Sequence, residues 1–222
     1  MHTDNSVAEA DYQFHPGEEF WNTLLHFLGL ILAIGALPVL ITVAAFRGTT
    51  LEIVTFSIYG ASLTATYMVS TLYHYAKPGR WKQLLRRADH ITIYYLIAGT
   101  YTPFLLIALK GVWGWTLFCV LWGLALFGTF FKIMFAHRFE LLSTLLYVAK
   151  GWAGLAVIVP LAHALPLPSF VLVLVGGICY TLGAGFYAWE KLHFNHAIWH
   201  FFCLAASVVQ FIAVFFLLQL PG

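Results

Sequence analysis

Hydrophobic residues run nearly unbroken through seven stretches of the chain. They are Asn22–Phe46, Leu51–Tyr75, Asp89–Leu109, Val112–Phe131, Leu141–Ala162, Leu167–Ala188 and His196–Leu218. Each supplies the roughly 20 mostly apolar residues that a helix needs to cross a bilayer. None shows the short alternating segments of an outer-membrane barrel. The pattern predicts an all-α membrane protein, a seven-transmembrane helix bundle. Residues 1–18 are polar and read as a tail or surface helix, with 19–222 forming a single transmembrane domain. No repeat and no long linker divides that domain.

Composition strengthens this reading. Of 222 residues, 61% are hydrophobic and 9% charged, whereas a soluble domain carries roughly 45–50% apolar and about 25% charged residues. Lipid must be the outer solvent. The net charge of +2 is too small and too dispersed for nucleic-acid binding. Cys119, Cys179 and Cys203 lie in apolar runs without a CxxC pair, so they read as small buried hydrophobes. Histidines, ten in number, outnumber the nine acids, and this excess is the part of the composition with chemical content.

Basic residues in the short intervals predict orientation. The 76–88, 132–140 and 189–195 intervals carry Lys77, Arg80, Lys82, Arg86, Arg87, Lys132, Arg138 and Lys191, against Arg47 and Lys110 on the other side. Eight against two places the N-terminus in the cytoplasm and the C-terminus outside. Lys150 falls inside the fifth span, where it must snorkel or find an internal partner. Gly177, Thr181 and Gly185 define one small-residue face of the sixth span, and Pro38, Pro103 and Pro160 are candidate kinks.

Polar residues within the spans gather at one end. The second span finishes Ser70-Thr-Leu-Tyr-His74, the third starts Asp89-His90, the seventh starts His196-Ala-Ile-Trp-His200, and the first starts with Glu19, Asn22 and His26. All four ends share the cytoplasmic depth. His196 and His200 stack on one helix face about 6 Å apart in rise, a spacing that suits two imidazoles on one metal. His74 supplies a third ligand and water a fourth. Imidazole nitrogen suits Zn2+, with nickel or cobalt as alternatives. Asp89 is then placed to act as general base toward a metal-activated water, and Ser70 to donate to a developing oxyanion.

Plainer roles exist for the same residues. His26 and His90 suit hydrogen-bonded bundle positions better than ligation. Ser70 can bond back to the Thr66 carbonyl, and Asp89 can serve as an N-cap or first-turn carboxylate. Glu19 and Asn22 fit capping and anchoring. An open metal site at this depth points to hydrolysis of an ester or amide in a lipid of the inner leaflet. A shell closed by a fourth protein ligand instead makes the zinc structural.

The motifs Glu19-x-x-Asn22-x-x-x-His26, Ser70-Thr-Leu-Tyr-His74, Leu85-Arg-Arg-Ala-Asp89-His90-Ile-Thr-Ile-Tyr94, Ala98-Gly-Thr-Tyr-Thr-Pro-Phe104 and His196-Ala-Ile-Trp-His200 occur in that order. The chain resembles the bacterial hemolysin III group, the prokaryotic branch of the progestin and adiponectin receptor family, from Glu19 to about Phe216. The resemblance implies seven helices, an inward N-terminus, and zinc on His74, His196 and His200, with Asp89 beside the metal water and Ser70 lining the site. It also implies a multi-pass protein of the bacterial cell membrane whose partners are membrane lipids. Ceramidase-like hydrolysis and control of membrane lipid composition are the activities it suggests. Two other roles compete with these, a non-catalytic membrane sensor with structural zinc and a haemolytic pore. The long N-terminal domain of the animal receptors has no counterpart in this sequence, which argues against a hormone-receptor role.

Overall fold

The computed structural model describes residues 16–47, 49–135 and 140–220. The described residues are helical and contain no strand. The helices are α1 (Pro16–Arg47), α2 (Thr50–Tyr75), α3 (Arg80–Pro103), α4 (Gly111–Phe135), α5 (Glu140–Gly151), α6 (Ile158–Ala164), α7 (Leu167–Ala188) and α8 (Asn195–Phe215). A π-helical turn at Phe104–Leu109 prolongs α3, a 3-10 segment at Ala153–Val157 joins α5 to α6, and another at Phe216–Gln219 ends α8. Seven of the resulting rods are long and apolar enough to span a bilayer. Hydrocarbon offers no partner for backbone polar groups, so a continuous helix is the form that such sequences must take.

Large apolar side chains such as Phe46, Val112, Leu167 and Phe127 point outward. That distribution is wrong for water and right for lipid. Cys119 also faces outward, contrary to the buried role expected for it. The main core lies in the half of the bundle remote from the histidines, where Leu40, Phe56, Tyr59, Leu63, Phe104, Leu161, Val214 and Leu217 pack together. A smaller cluster of Tyr94, Ala98, Leu105, Leu121 and Ala125 joins α3 to α4.

Several boundaries differ from the sequence expectation. The third span begins at Arg80 rather than Asp89, so four of the basic residues assigned to an interval sit on the first turns of α3. Lys132 is likewise inside α4, buried, with Nζ 3.4 Å from His90 Nδ1. Pro16, Gly17 and Glu18 open α1, while residues 1–15 of the expected tail, and Arg138, lie outside the described residues. Charged residues are legitimate first-turn residues at a membrane surface, and hydropathy alone does not register them.

Two of the three candidate prolines mark breaks, whereas Pro38 lies inside the continuous α1. The helix changes to a π turn immediately after Pro103. Pro160 stands in the first turn of α6, where its missing N–H would have had no helical acceptor. At the start of α2, Thr49 and Glu52 form a reciprocal capping box, with Thr49 N–H donating to Glu52 Oε2 at 2.9 Å. Lys150 meets its intramembrane requirement by donating to the Tyr94 carbonyl at 2.6 Å, its ammonium lying 5.5 Å from the centre of the Tyr94 ring.

The close face of α7 is not the expected one. A Cβ added at Gly176 would lie 2.5 Å from Gln210 Nε2, and one at Gly183 would lie 2.7 Å from the Trp199 ring. Gly177 meets Trp152 at ordinary contact distance, Gly185 faces open space, and Thr181 receives the Trp152 indole N–H at 2.9 Å. The contact with α8 therefore runs through Gly176 and Gly183, seven residues apart.

Candidate metal centre

Three helices deliver histidines to one place. His26 comes from α1, His74 from the last turn of α2, and His196 and His200 from the first turns of α8. All four are buried. His26, His74 and His200 each offer a nitrogen within 4.8 Å of the others, a group that can hold a metal ion.

The hydrogen bonds give the rings a direction. His74 Nδ1 lies 2.7 Å from Glu19 Oε2, and a carboxylate can only accept, so Nδ1 carries the hydrogen. His74 Nε2 is then a lone pair, and it faces His200 Nε2 at 3.1 Å. The other nitrogen of His200, Nδ1, faces His26 Nε2 at 2.8 Å. His26 Nδ1 is buried without a hydrogen-bond partner, as are both side-chain polar atoms of Asn22 one turn earlier. A tetrahedral ion with metal–nitrogen bonds of 2.0–2.1 Å spaces its ligand atoms about 3.3 Å apart. The two facing Nε2 atoms match that edge.

His196 stands at the same point. Its ring centre is 4.4 Å from that of His200 and 5.4 Å from that of His74, and His74 and His200 are 4.9 Å apart. These three ring planes cross at 81°, 64° and 72°. The planes of His26 and His74, in contrast, are stacked at 7°. The planes of His26 and His200 cross at 72°, with ring centres 4.1 Å apart.

Ser70 and Asp89 are in direct contact. The Ser70 hydroxyl donates to Asp89 Oδ1. Asp89 lies in the third turn of α3 and is 7% exposed, so the N-cap and first-turn roles do not apply to it. Nor does Ser70 bond back along its own helix. It is Thr66, one turn earlier, that does so, to the Ser62 carbonyl at 2.9 Å. His90 meets Lys132, with Nδ1 3.4 Å from its Nζ, and lines a small cavity together with His196 and His200.

Ser70, Asp89 and His200 line a cavity of about 160 Å³ that runs between the helices. Its farther walls include Ile97, Phe104, Leu155, Leu161, Phe170 and Leu174, and are mostly apolar. A second cavity of about 50 Å³ shares Asp89, Tyr147, Trp199 and His200 with the first, and adds Lys132, Ser143 and Thr144. Asp89 and His200 thus border both cavities.

Two acids at the start of α1 have a larger part than the sequence suggested. Glu18 accepts from the backbone N–H of His196 at 3.0 Å and of Ala197 at 3.3 Å, capping α8 across the bundle. Glu19 holds both His74 and Lys82, the latter at 3.1 Å. The available signal was the pair of acids at the head of a membrane span, which lipid tolerates only when they are partnered.

Comparison with known proteins agrees with this architecture. The family model described as Haemolysin-III related matches residues 14–211. "Hemolysin-3" of Bacillus cereus is 48% identical over 199 residues, covering 90% of this chain and 91% of the relative. "Hemolysin-3 homolog" of Bacillus subtilis (strain 168) is 46% identical, covering 90% and 93%. The human "Monocyte to macrophage differentiation factor" is 28% identical over 172 residues, covering 73% and 70%. A multi-pass helical membrane protein that matches this family over most of its length belongs to it: the chain is a member of the Haemolysin-III related family.

Proposed function

We propose that this protein is a zinc-dependent hydrolase of a lipid amide or ester, working at the inner leaflet of a bacterial cell membrane. The observation that carries the reading is the position of Asp89. It is a buried carboxylate held by Ser70, it stands beside the histidines, and it forms the wall of an apolar cavity.

His74, His196 and His200 are the proposed ligands. The nearness of the three rings supports this trio, and the 2.8 Å contact of His26 Nε2 with His200 Nδ1 is read as a support behind His200. The donor set is all imidazole, which suits zinc and not magnesium or calcium. When bound, zinc supplies Lewis acidity that polarises the scissile carbonyl and eases deprotonation of water.

The rest is the work of the chain's own groups. The apolar cavity takes the hydrocarbon chain and so brings the carbonyl to Asp89 and His200. Asp89 accepts the proton as water attacks the carbonyl carbon, and returns it to the leaving nitrogen or oxygen as the carbon–heteroatom bond breaks. Ser70 has its hydroxyl hydrogen committed to Asp89, so it orients the base. The oxyanion role expected of Ser70 would require that hydroxyl to rotate. The smaller cavity gives the leaving portion a place to go.

The distribution of basic residues supports a cytoplasmic site. Lys77, Arg80, Arg86 and Arg87 flank the histidine end of the bundle, as positive-inside topology requires.

One observation favours the alternative, a non-catalytic protein with structural zinc. His26 already offers a nitrogen within 4.8 Å of those of His74 and His200, near enough to close the shell as a further ligand. A pore has less in its favour, because the remote half of the bundle is filled by packed apolar side chains.

The test is mass spectrometry of membrane lipids incubated with the purified protein, zinc-loaded or stripped by a chelator. Hydrolysis products are expected only with the loaded protein. No product from any lipid class, with zinc bound in full, would favour the structural reading.

A further inference from the structure

The proposed metal site depends on His74 presenting Nε2, and the structure contains a device that enforces it. His74 Nδ1–H donates to Glu19 Oε2 at 2.7 Å, and Lys82 Nζ donates to Glu19 Oε1 at 3.1 Å. Lys82 also donates to the carbonyl of Ala76 at 3.1 Å, just beyond the end of α2. One carboxylate thus ties α1, α2 and α3 together at the ring of one histidine. Glu19, Lys82 and His74 are all buried.

Stability alone does not explain such a group. Replacing a buried ion pair by apolar residues is often neutral or stabilising, because desolvation of the charges offsets their attraction. A carboxylate behind a metal-binding imidazole has a specific use. It fixes the tautomer, orients the ring and raises the basicity of the coordinating nitrogen. Without it, His74 can place the hydrogen on Nε2 and turn a donor toward the ion.

We propose that Glu19, clamped by Lys82, is the positioning residue of the metal centre: it holds the hydrogen of His74 on Nδ1 and aims the Nε2 lone pair at the ion. This rests on the zinc reading above. Glu19 touches neither ion nor substrate and acts through His74. The motif that begins at Glu19 and ends at His26 is then the support of the centre. Glu19 stands behind His74, and His26 stands behind His200 through the contact of His26 Nε2 with His200 Nδ1.

The experiment uses the full chain in detergent, stripped and reloaded. Zinc affinity is read by competition with a chromophoric chelator, and ligand geometry by the visible bands of the cobalt(II) form. The variants are Glu19→Ala, Glu19→Gln and Lys82→Met, with His74→Ala as the ligand control. Glu52→Gln, which removes a capping acid from the opposite end of α2, is the structural control.

Glu19→Ala is expected to weaken zinc binding roughly 10- to 100-fold. Glu19→Gln keeps an acceptor for Nδ1–H and should recover part of that loss, and Lys82→Met should lie between the parent and Glu19→Ala. Cobalt bands should shift in the Glu19 variants and stay unmoved in Glu52→Gln. If Glu19→Ala does not fold, the affinity and bands of Glu19→Gln and Lys82→Met decide. Parent-like affinity and bands in these variants, with binding lost in His74→Ala, would overturn the inference and leave the zinc reading standing. A parent chain that holds no zinc, or holds it undiminished in His74→Ala, would overturn both.

Discussion

Replacing Asp89 by Asn separates catalysis from architecture at a single atom. The amide has the size of the carboxylate, and its Oδ1 still accepts from the Ser70 hydroxyl, so the contact that joins α2 to α3 survives. What is lost is the ability to take a proton. Loss of a general base lowers rates by about 100-fold or more, equivalent to roughly 2.7 kcal/mol at about 1.36 kcal/mol per decade. Stability should move the other way or not at all. Asp89 is buried, and a neutral amide is less costly to bury than an ionised carboxylate. The assay therefore has three readings on one preparation: zinc per chain, turnover of whichever lipid the parent consumes, and thermal unfolding in detergent. Full zinc, an unfolding midpoint equal to or above that of the parent, and turnover reduced by about 100-fold are the expected outcome. Unreduced turnover with zinc retained would refute the general-base role. Zinc lost from a folded variant would show that Asp89 is a ligand, and that the centre is built differently.

Two further outcomes test the fold. Gly29→Ala should destabilise by about 1–3 kcal/mol, because the new Cβ would lie 2.2 Å from the Tyr67 ring, which is itself held by Ser207 at 2.8 Å; Gly35→Ala, with nothing within 4 Å, should be neutral or slightly stabilising, and equal midpoints for the two would contradict the packing. A reporter fused after Gly222 should be active only in a form that works outside the cytoplasm, and a cytoplasmic signal would reverse the orientation inferred from the basic residues.

The seven spans were legible because hydropathy is a one-dimensional property, and Leu167–Ala188 matches its observed helix at both ends. The gathering of His74, Asp89, His196 and His200 at one depth was legible too, since alternating spans fix which ends meet. What could not be read was rotation. One residue turns a helix by about 100°, so sequence placed the close face of α7 on Gly177 and Gly185 when the contacts belong to Gly176 and Gly183. The same limit applied to His26, which sequence assigned to the bundle. Its proximity to His74 and His200 depends on side-chain direction, and spacing carries no record of that. Asp89 was open to a capping role only because the charged first turns of α3 hid the helix start. Glu18 and Glu19 act through partners more than fifty residues away, which no local pattern encodes.

On the proposed zinc reading, the chemistry of the donors also predicts how the protein behaves when stripped of the ion. In a small soluble zinc domain the unfolded chain has no preformed site, so metal binding and folding are one event. Here each span already satisfies its own backbone hydrogen bonds in lipid, and imidazoles can be buried neutral, without the penalty that several carboxylates would bring. The stripped centre also has internal partners, since His74, His200 and His26 form a chain of hydrogen bonds from Glu19 inward. Chelation should therefore leave helix content unchanged while removing the tie between α2 and α8. The stabilisation lost is about 4 kcal/mol when free zinc is some 1,000 times the dissociation constant. Circular dichroism at a fixed temperature should show equal helicity with and without zinc, while the thermal midpoint falls on stripping and recovers on reloading. His74→Ala and His200→Ala should abolish that recovery, and His26→Ala should keep most of it. Helicity that collapses on chelation would mean that the metal organises the bundle itself. A midpoint that does not respond to zinc would mean that no ion bridges these two helices.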